Sequence, residues 1–286
     1  MATKKTEMVE VLNAGYAALL LLLIASGLAI IFGLMGVVNL AHGEFLMLGA
    51  YGALLTTTEL GTFWPSLIVG PVLVGAVALV VEGGLMRRLY QRPLETILAT
   101  WGLAIVLRQA VRAIAGPDFR SVLNPLPGAM SIVGVDYPRY RLVVMALTVA
   151  IVGGLYILQR TTRIGLIARA VIQNPDLAGT LGINVKRVYQ ATFVLGSALA
   201  GLAGVLLAPT VNVFPEMGPP FVINAFLVVL VGGLGSIPGL VGSSFFLGVI
   251  QSALSRYETP VAGTVGLLVV AVLALRFLPE GLTHLR

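Results

Sequence analysis

The sequence predicts an all-α membrane protein: a polytopic helical bundle of about eight or nine transmembrane segments with discontinuous helices. Two observations identify the solvent. Of 286 residues, 58% are hydrophobic and 10% charged, where a soluble globular chain carries about 25% charged residues. The mean hydropathy is +0.99, more apolar surface than one soluble core of this size covers. A third observation separates helices from a barrel. The chain holds 34 glycines, small residues that let helices approach closely in lipid, and the two-residue alternation of a barrel strand is missing.

A span needs about 20 apolar residues. The first candidate is Val11–Phe32. Lys4 and Lys5 precede it, as in a signal peptide, but no charge interrupts the chain from Val11 to Val38. A signal core is about 7–15 residues, so a retained span is expected. The others are Leu40–Thr57, Phe63–Gly84, Leu94–Ile114, Leu142–Leu158, Tyr189–Leu207, Val222–Leu234, Leu240–Leu254 and Val261–Phe277. Two short segments could be re-entrant, which lowers the count by one. No linker marks a second domain, so residues 1–286 read as a single transmembrane domain.

The loops orient the bundle. The net charge is +6, and in a soluble chain that would suggest nucleic acid. Here the cations sit in short loops: Arg87, Arg88 and Arg92 in one, Arg160, Arg163, Arg169, Lys186 and Arg187 in another. Both loops belong on the cytoplasmic side by the positive-inside rule. The proline-rich connection Gly116–Arg141 then falls outside, as does Asn212–Pro220. The two halves carry a weak similarity. Gly33, Gly36, Gly43, Leu48 and Gly49 are matched in order by Gly232, Gly235, Gly242, Leu247 and Gly248. Interrupted apolar segments at corresponding positions of two halves point to a transport site.

Four segments could carry chemistry. In the first, Asn39, His42 and Glu44 fall within six positions between two apolar runs. Charge deep in a bilayer costs about 2.5–3.5 kcal/mol or more, so these groups face protein, water or the interface. A broken helix lining a translocation path fits. So does a tight cytoplasmic turn, with Asn39 capping the next helix and Glu44 near its positive end.

In the second, Asn174 can cap a helix that has Pro175 and Asp176 in its first turn and Gly182 at its end. A specified helix of about two turns between spans suits docking of a cytosolic partner or lying on lipid headgroups. In the third, Thr100 and Trp101 open a span and could line a pocket, or Trp101 could anchor the interface. Arg108 and Arg112 follow, with Glu82 a possible partner for Arg108. The fourth, Gly232, Gly233, Gly235, Pro238 and Gly239, is a glycine-rich hinge or broken helix. A dinucleotide fingerprint would need glycine where Pro238 stands. Asn224 is a further pathway candidate.

Several classes are excluded or disfavoured. There is no cysteine, and His42 and His284 are the only histidines. No metal-ligand cluster or nucleophile–base pair appears, so neither catalysis nor a cofactor is expected. No G-x-x-x-x-G-K-[ST] occurs, so the chain binds no nucleotide through a P-loop.

The run Gly33–Glu44 followed by Met47–Tyr51 resembles a signature of branched-chain amino-acid ABC transporter permeases. Two further signatures of that family follow in order. One comprises Leu181, Gly182, Ile183, Asn184, Arg187 and Val188 with Thr192–Gly196 and Ala203–Leu207; the other is Gly232–Gly239. The resemblance implies a transport subunit that pairs with a second permease, docks on two cytosolic ATP-binding subunits and receives substrate from an extracytoplasmic solute-binding protein. It implies that Arg169, Asn174, Pro175, Asp176, Leu181, Gly182 and Ile183 belong to the ATPase-coupling segment. The short run Leu98–Gly102 resembles the urea and short-amide branch, so the substrate expected is a branched-chain amino acid or urea. The rival is a secondary transporter or channel that works without ATP.

Overall fold

The computed structural model describes residues 2–277 apart from Gln91, Val133, Leu234, Gly235, Glu258 and Thr259. The uninterrupted first run becomes one helix, α1 (Ala2–Met35). The following runs give α2 (His42–Leu60), α3 (Ser66–Gly84) and α4 (Pro93–Ala115). After α4 come two short strands, β1 (Ala129–Ile132) and β2 (Val135–Pro138), then α5 (Arg139–Thr161). Two helices without a span, α6 (Arg163–Gln173) and α7 (Pro175–Thr180), lead into α8 (Val185–Leu207). The chain ends on α9 (Gly218–Gly232), α10 (Ile237–Tyr257) and α11 (Pro260–Phe277). Six of the described helices are long and apolar enough to cross a membrane, and two shorter apolar helices lie at Gly218–Gly232 and Val265–Ala274.

Helices α1 and α8 form the centre: two thirds (67%) of each apolar stretch is buried, against 17% for α4 and α5 at the edge. Glycine explains the closeness of the central packing. A methyl at Gly27 would collide with the Gly196 carbonyl of α8, and one at Gly49 with the Gly201 carbonyl. Backbone meets backbone where lipid offers no hydrophobic drive for association.

The hairpin departs from the all-α expectation. Strands β1 and β2 pair antiparallel, with Met130 opposite Tyr137. Val135 and Tyr137 point inward and Asp136 and Pro138 outward. Strands of four residues are too short to stand out from a proline-rich connection. The Tyr137 hydroxyl reaches the Leu12 carbonyl and Asn13 Oδ1 of α1, both at 3.2 Å. Arg120 and Val213 exchange backbone bonds of 2.9 and 2.7 Å, tying this connection to the segment before α9.

Candidate functional site

The break between α1 and α2 begins at Gly36, whose N–H bonds the Phe32 carbonyl at 2.9 Å. Its φ is +65°, the left-handed conformation that ends helices and that glycine adopts without strain. The following backbone groups are met one by one. Asn39 Oδ1 accepts from the Ala41 N–H at 3.1 Å. Thr100 Oγ1, reaching in from α4, accepts from the Leu40 N–H at 3.2 Å and lies 3.3 Å from the Val38 carbonyl. Asn39 thus closes the turn ahead of α2 and does not cap the helix, which starts at His42 without a side-chain cap. The local Asx-type bond wins over the cap.

His42 shows how deep the segment runs. Its ring is fully buried, with Nε2 3.0 Å from the Ile24 carbonyl. A carbonyl only accepts, so Nε2 carries the proton and donates, leaving Nδ1 as an acceptor. Ile24 lies about three helical turns before the end of α1. The chain therefore folds back into the bundle after Met35, and a turn at its rim is ruled out.

Glu44 meets Arg108 of α4 at 2.5 Å, with 2% of its side chain exposed against 25% for the arginine. Glu82 is not the partner of Arg108. One turn further along α4, Arg112 meets Glu216 at 3.2 Å. Glu44 stands in the first turn of α2, and its Oε2 faces Gly218 at the start of α9. Two positive helix ends thus favour its charge. Among the described residues, eight buried side-chain polar atoms lack a partner; four of them are Asn39 Nδ2, His42 Nδ1, Glu44 Oε2 and Arg108 Nε. Buried polar atoms are nearly always paired, so this concentration singles out the first break.

Thr100 joins that group. Trp101, the next residue, does not: it is 59% exposed on the outer side of α4. Asn224 is buried in α9, about two turns from the Gly218 end that faces Glu44.

In the basic connection the structure has two helices where one was expected. Thr162 caps α6, accepting from the Gly165 N–H at 3.4 Å. Arg169 donates to the Gln159 carbonyl at the end of α5, so it fastens α6 to α5. Helix α7 follows the sequence reading closely. Asn174 Oδ1 accepts from the Leu177 N–H at 2.9 Å, Pro175 and Asp176 fill the first turn, and Gly182 has φ +86°. The Ile183 N–H bonds back to the Ala178 carbonyl at 3.1 Å. Leu177 and Leu181 stand out exposed. Asn184 caps α8 through the Arg187 N–H at 3.1 Å.

The second break lies between α9 and α10. Helix α9 ends at Gly232, and Gly233 has φ +85°. Ser236 Oγ accepts from the Gly239 N–H at 3.2 Å, and Pro238 lies in the first turn of α10. Ser243 donates within reach of the Val228 carbonyl at 2.8 Å, crossing back to α9. A methyl on Gly232 would press on the Gly239 carbonyl and Ser243. Gly235 lies outside the described residues, as does His284. Beside this break an apolar cavity of about 140 Å³ opens between α1, α5, α6, α8 and α10, touching Ile237 and Leu240.

Comparison with known proteins decides the family. Residues 11–275 match the model of the branched-chain amino acid transport system permease component. This chain belongs to that permease family. The LivH permease protein of a high-affinity branched-chain amino acid transport system of Salmonella typhimurium is 30% identical over 280 residues, 91% of this chain and 90% of the relative. BraD of Pseudomonas aeruginosa, named for the same kind of system, is 29% identical over 281 residues, with 91% and 90% covered. Among solved structures, PsaBC from Streptococcus pneumoniae in complex with Fab superposes with a TM-score of 0.55 at 14% identity, covering 98% of this chain and 99% of that one. That likeness shows the fold alone. The permease is a multi-pass protein of the cytoplasmic (inner) membrane.

Proposed function

We infer that this permease forms half of the translocation path of an ATP-driven importer for branched-chain amino acids. Its partners are a second permease, identical or homologous, two cytosolic ATP-binding subunits and an extracytoplasmic solute-binding protein. Eight or nine segments cross the membrane, and α2 and the short α9 start beside the path. Asn39, His42, Glu44, Thr100 and Asn224 lie along the solute route, and Gly232, Gly233, Gly235, Pro238 and Gly239 form the hinge.

The observation that carries this reading is α7: a capped helix of six residues, with exposed Leu177 and Leu181, running through Gly182 into a central span. Capping holds so short a helix in one pose, which suits seating its exposed leucines in a protein pocket. The relatives are named for branched-chain amino acids, which favours that substrate over the urea suggested by Leu98–Gly102.

Gly182→Val tests the coupling role. A β-branched residue at φ +86° is strained and should misdirect α7. In vesicles carrying the assembled importer, ATP hydrolysis should persist while leucine uptake falls at least tenfold. Full uptake per ATP in that variant would refute the docking role of α7.

A further inference from the structure

Glu82 is a buried carboxylate at the end of α3 that the reading above leaves unused. It is 1% exposed. The Tyr90 hydroxyl donates to its Oε1, and Gln190 Nε2 donates to Oε2 at 2.7 Å. Among the described residues no cation comes within ion-pair distance of it. An ionisable group at such a place is costly and marks function more often than stability. Apolar residues of similar shape commonly serve stability as well or better.

The partners come from different directions. Gln190 lies in the second turn of α8, which follows α7 after four residues and starts on the Asn184 cap. Tyr90 belongs to the short connection before α4, and its ring packs edge-on against Tyr189 with centroids 5.0 Å apart. Burial and the Glu82 carboxylate push the Tyr90 hydroxyl above its ordinary range, so it remains a donor. Thr96 Oγ1 lies 2.9 Å from the Leu89 carbonyl, binding that connection to the first turn of α4.

Helix α4 is peripheral; beside the apolar packing of Leu103, Ala104, Leu107 and Val111, a series of polar side chains along it bonds the rest of the bundle. At its start stands the Glu82 cluster. About one turn past Thr96, Thr100 bonds the open backbone of the first break. Further along, Arg108 holds Glu44 and Arg112 holds Glu216. Gln190 and Tyr189 belong to the α8 start, so the Glu82 cluster joins that start to the base of α4, the helix that carries Thr100 and Arg108 at the break.

We propose that Glu82 is the positioning residue through which movement of α7 reaches the first break, by holding the starts of α8 and α4 together. The proposal rests on the reading of α7 as the ATPase contact.

The decisive variant is Glu82→Leu/Tyr90→Phe/Gln190→Leu. It removes the carboxylate together with its donors, so no buried polar atom is orphaned, and the Tyr90–Tyr189 ring contact stays. The assembled importer would be placed in vesicles and leucine uptake, ATP hydrolysis and melting temperature measured on the same preparation. The triple variant should melt within a few degrees of the wild type and hydrolyse ATP normally. It should move about fivefold less leucine per ATP, within the range such networks carry.

If the triple variant does not assemble, Tyr90→Phe and Gln190→Leu alone decide, each lowering leucine per ATP at least twofold. Wild-type coupling in the variants overturns the role of Glu82 and leaves the importer reading intact. Absence of ATP-driven uptake in the wild type overturns both. The chain has no cysteine, so Thr180→Cys and Leu98→Cys report by spin-label distances. Nucleotide should move both labels in the wild-type background and only the α7 label in the triple variant. Unchanged α4 movement there refutes the relay.

Discussion

The two interrupted helices share a backbone event and differ in chemistry. Each break opens on a glycine with positive φ, Gly36 at +65° and Gly233 at +85°. Each next helix begins within a few residues. At the first break the exposed backbone is met from a distance by Thr100, and an ion pair, a histidine and an asparagine are buried around it. At the second the bonds are local: Ser236 caps its own helix and Ser243 reaches back to α9. An apolar cavity lies alongside. The first break is held by charges from another helix, the second by hydroxyls of its own two helices.

That contrast makes unequal demands on mutation. The largest effect belongs to Arg108→Leu, which leaves the Glu44 charge buried without its cation. Stability should fall by about 3 kcal/mol, read as thermal unfolding in detergent, and uptake should vanish. Glu44→Leu/Arg108→Leu should recover most of the stability and none of the uptake. No residue at the second break has a comparable effect. Next come the hydroxyls. Thr100→Val strips a donor and an acceptor from the first break and should cost about 2 kcal/mol, whereas Ser243→Ala should cost about 1 kcal/mol. Equal costs would show that the distant bond matters no more than the local one.

The glycines come next. Gly36→Ala and Gly233→Ala each force a side chain to positive φ, at about 1 kcal/mol, and Gly233, with φ +85° and ψ +143°, lies in a region essentially reserved for glycine and should cost the more. Equal melting of the two variants would show that the two backbone events are equivalent. Smallest is Trp101→Ala: stability should change by less than about 0.5 kcal/mol and uptake by less than twofold. A strong uptake defect there would return Trp101 to the path.

How much of this was legible in the sequence depended on range. Apolar runs and local capping are short-range, so helices formed over the apolar runs, six of the described ones long and apolar enough to cross a membrane, and α7 with Asn174, Pro175 and Gly182 emerged nearly as read. Helix α6 was missed because Gly165 in its first turn and the basic residues around it look like connection. The hairpin was hidden by strands of four residues. Glu82, one possible partner for Arg108 in the sequence, stands too far from it, as depth arithmetic exposes. Glu82 lies at the end of α3, near where α4 begins, while Arg108 is about four turns along α4, roughly 22 Å away along the axis. Glu44 reaches that depth only because the chain after Met35 folds back into the bundle, and no local pattern records that.

The first break is proposed as the place where solute and energy meet. The most direct measurement is ATP-driven accumulation of leucine, with urea as control, in vesicles holding the permease, its ATP-binding subunits and the solute-binding protein. The wild type should accumulate leucine and exclude urea. The Glu44→Leu/Arg108→Leu variant should fold and fail, and Ser243→Ala should retain at least half of the rate. Full leucine uptake by the charge-free variant, or urea as the preferred solute, would contradict the account.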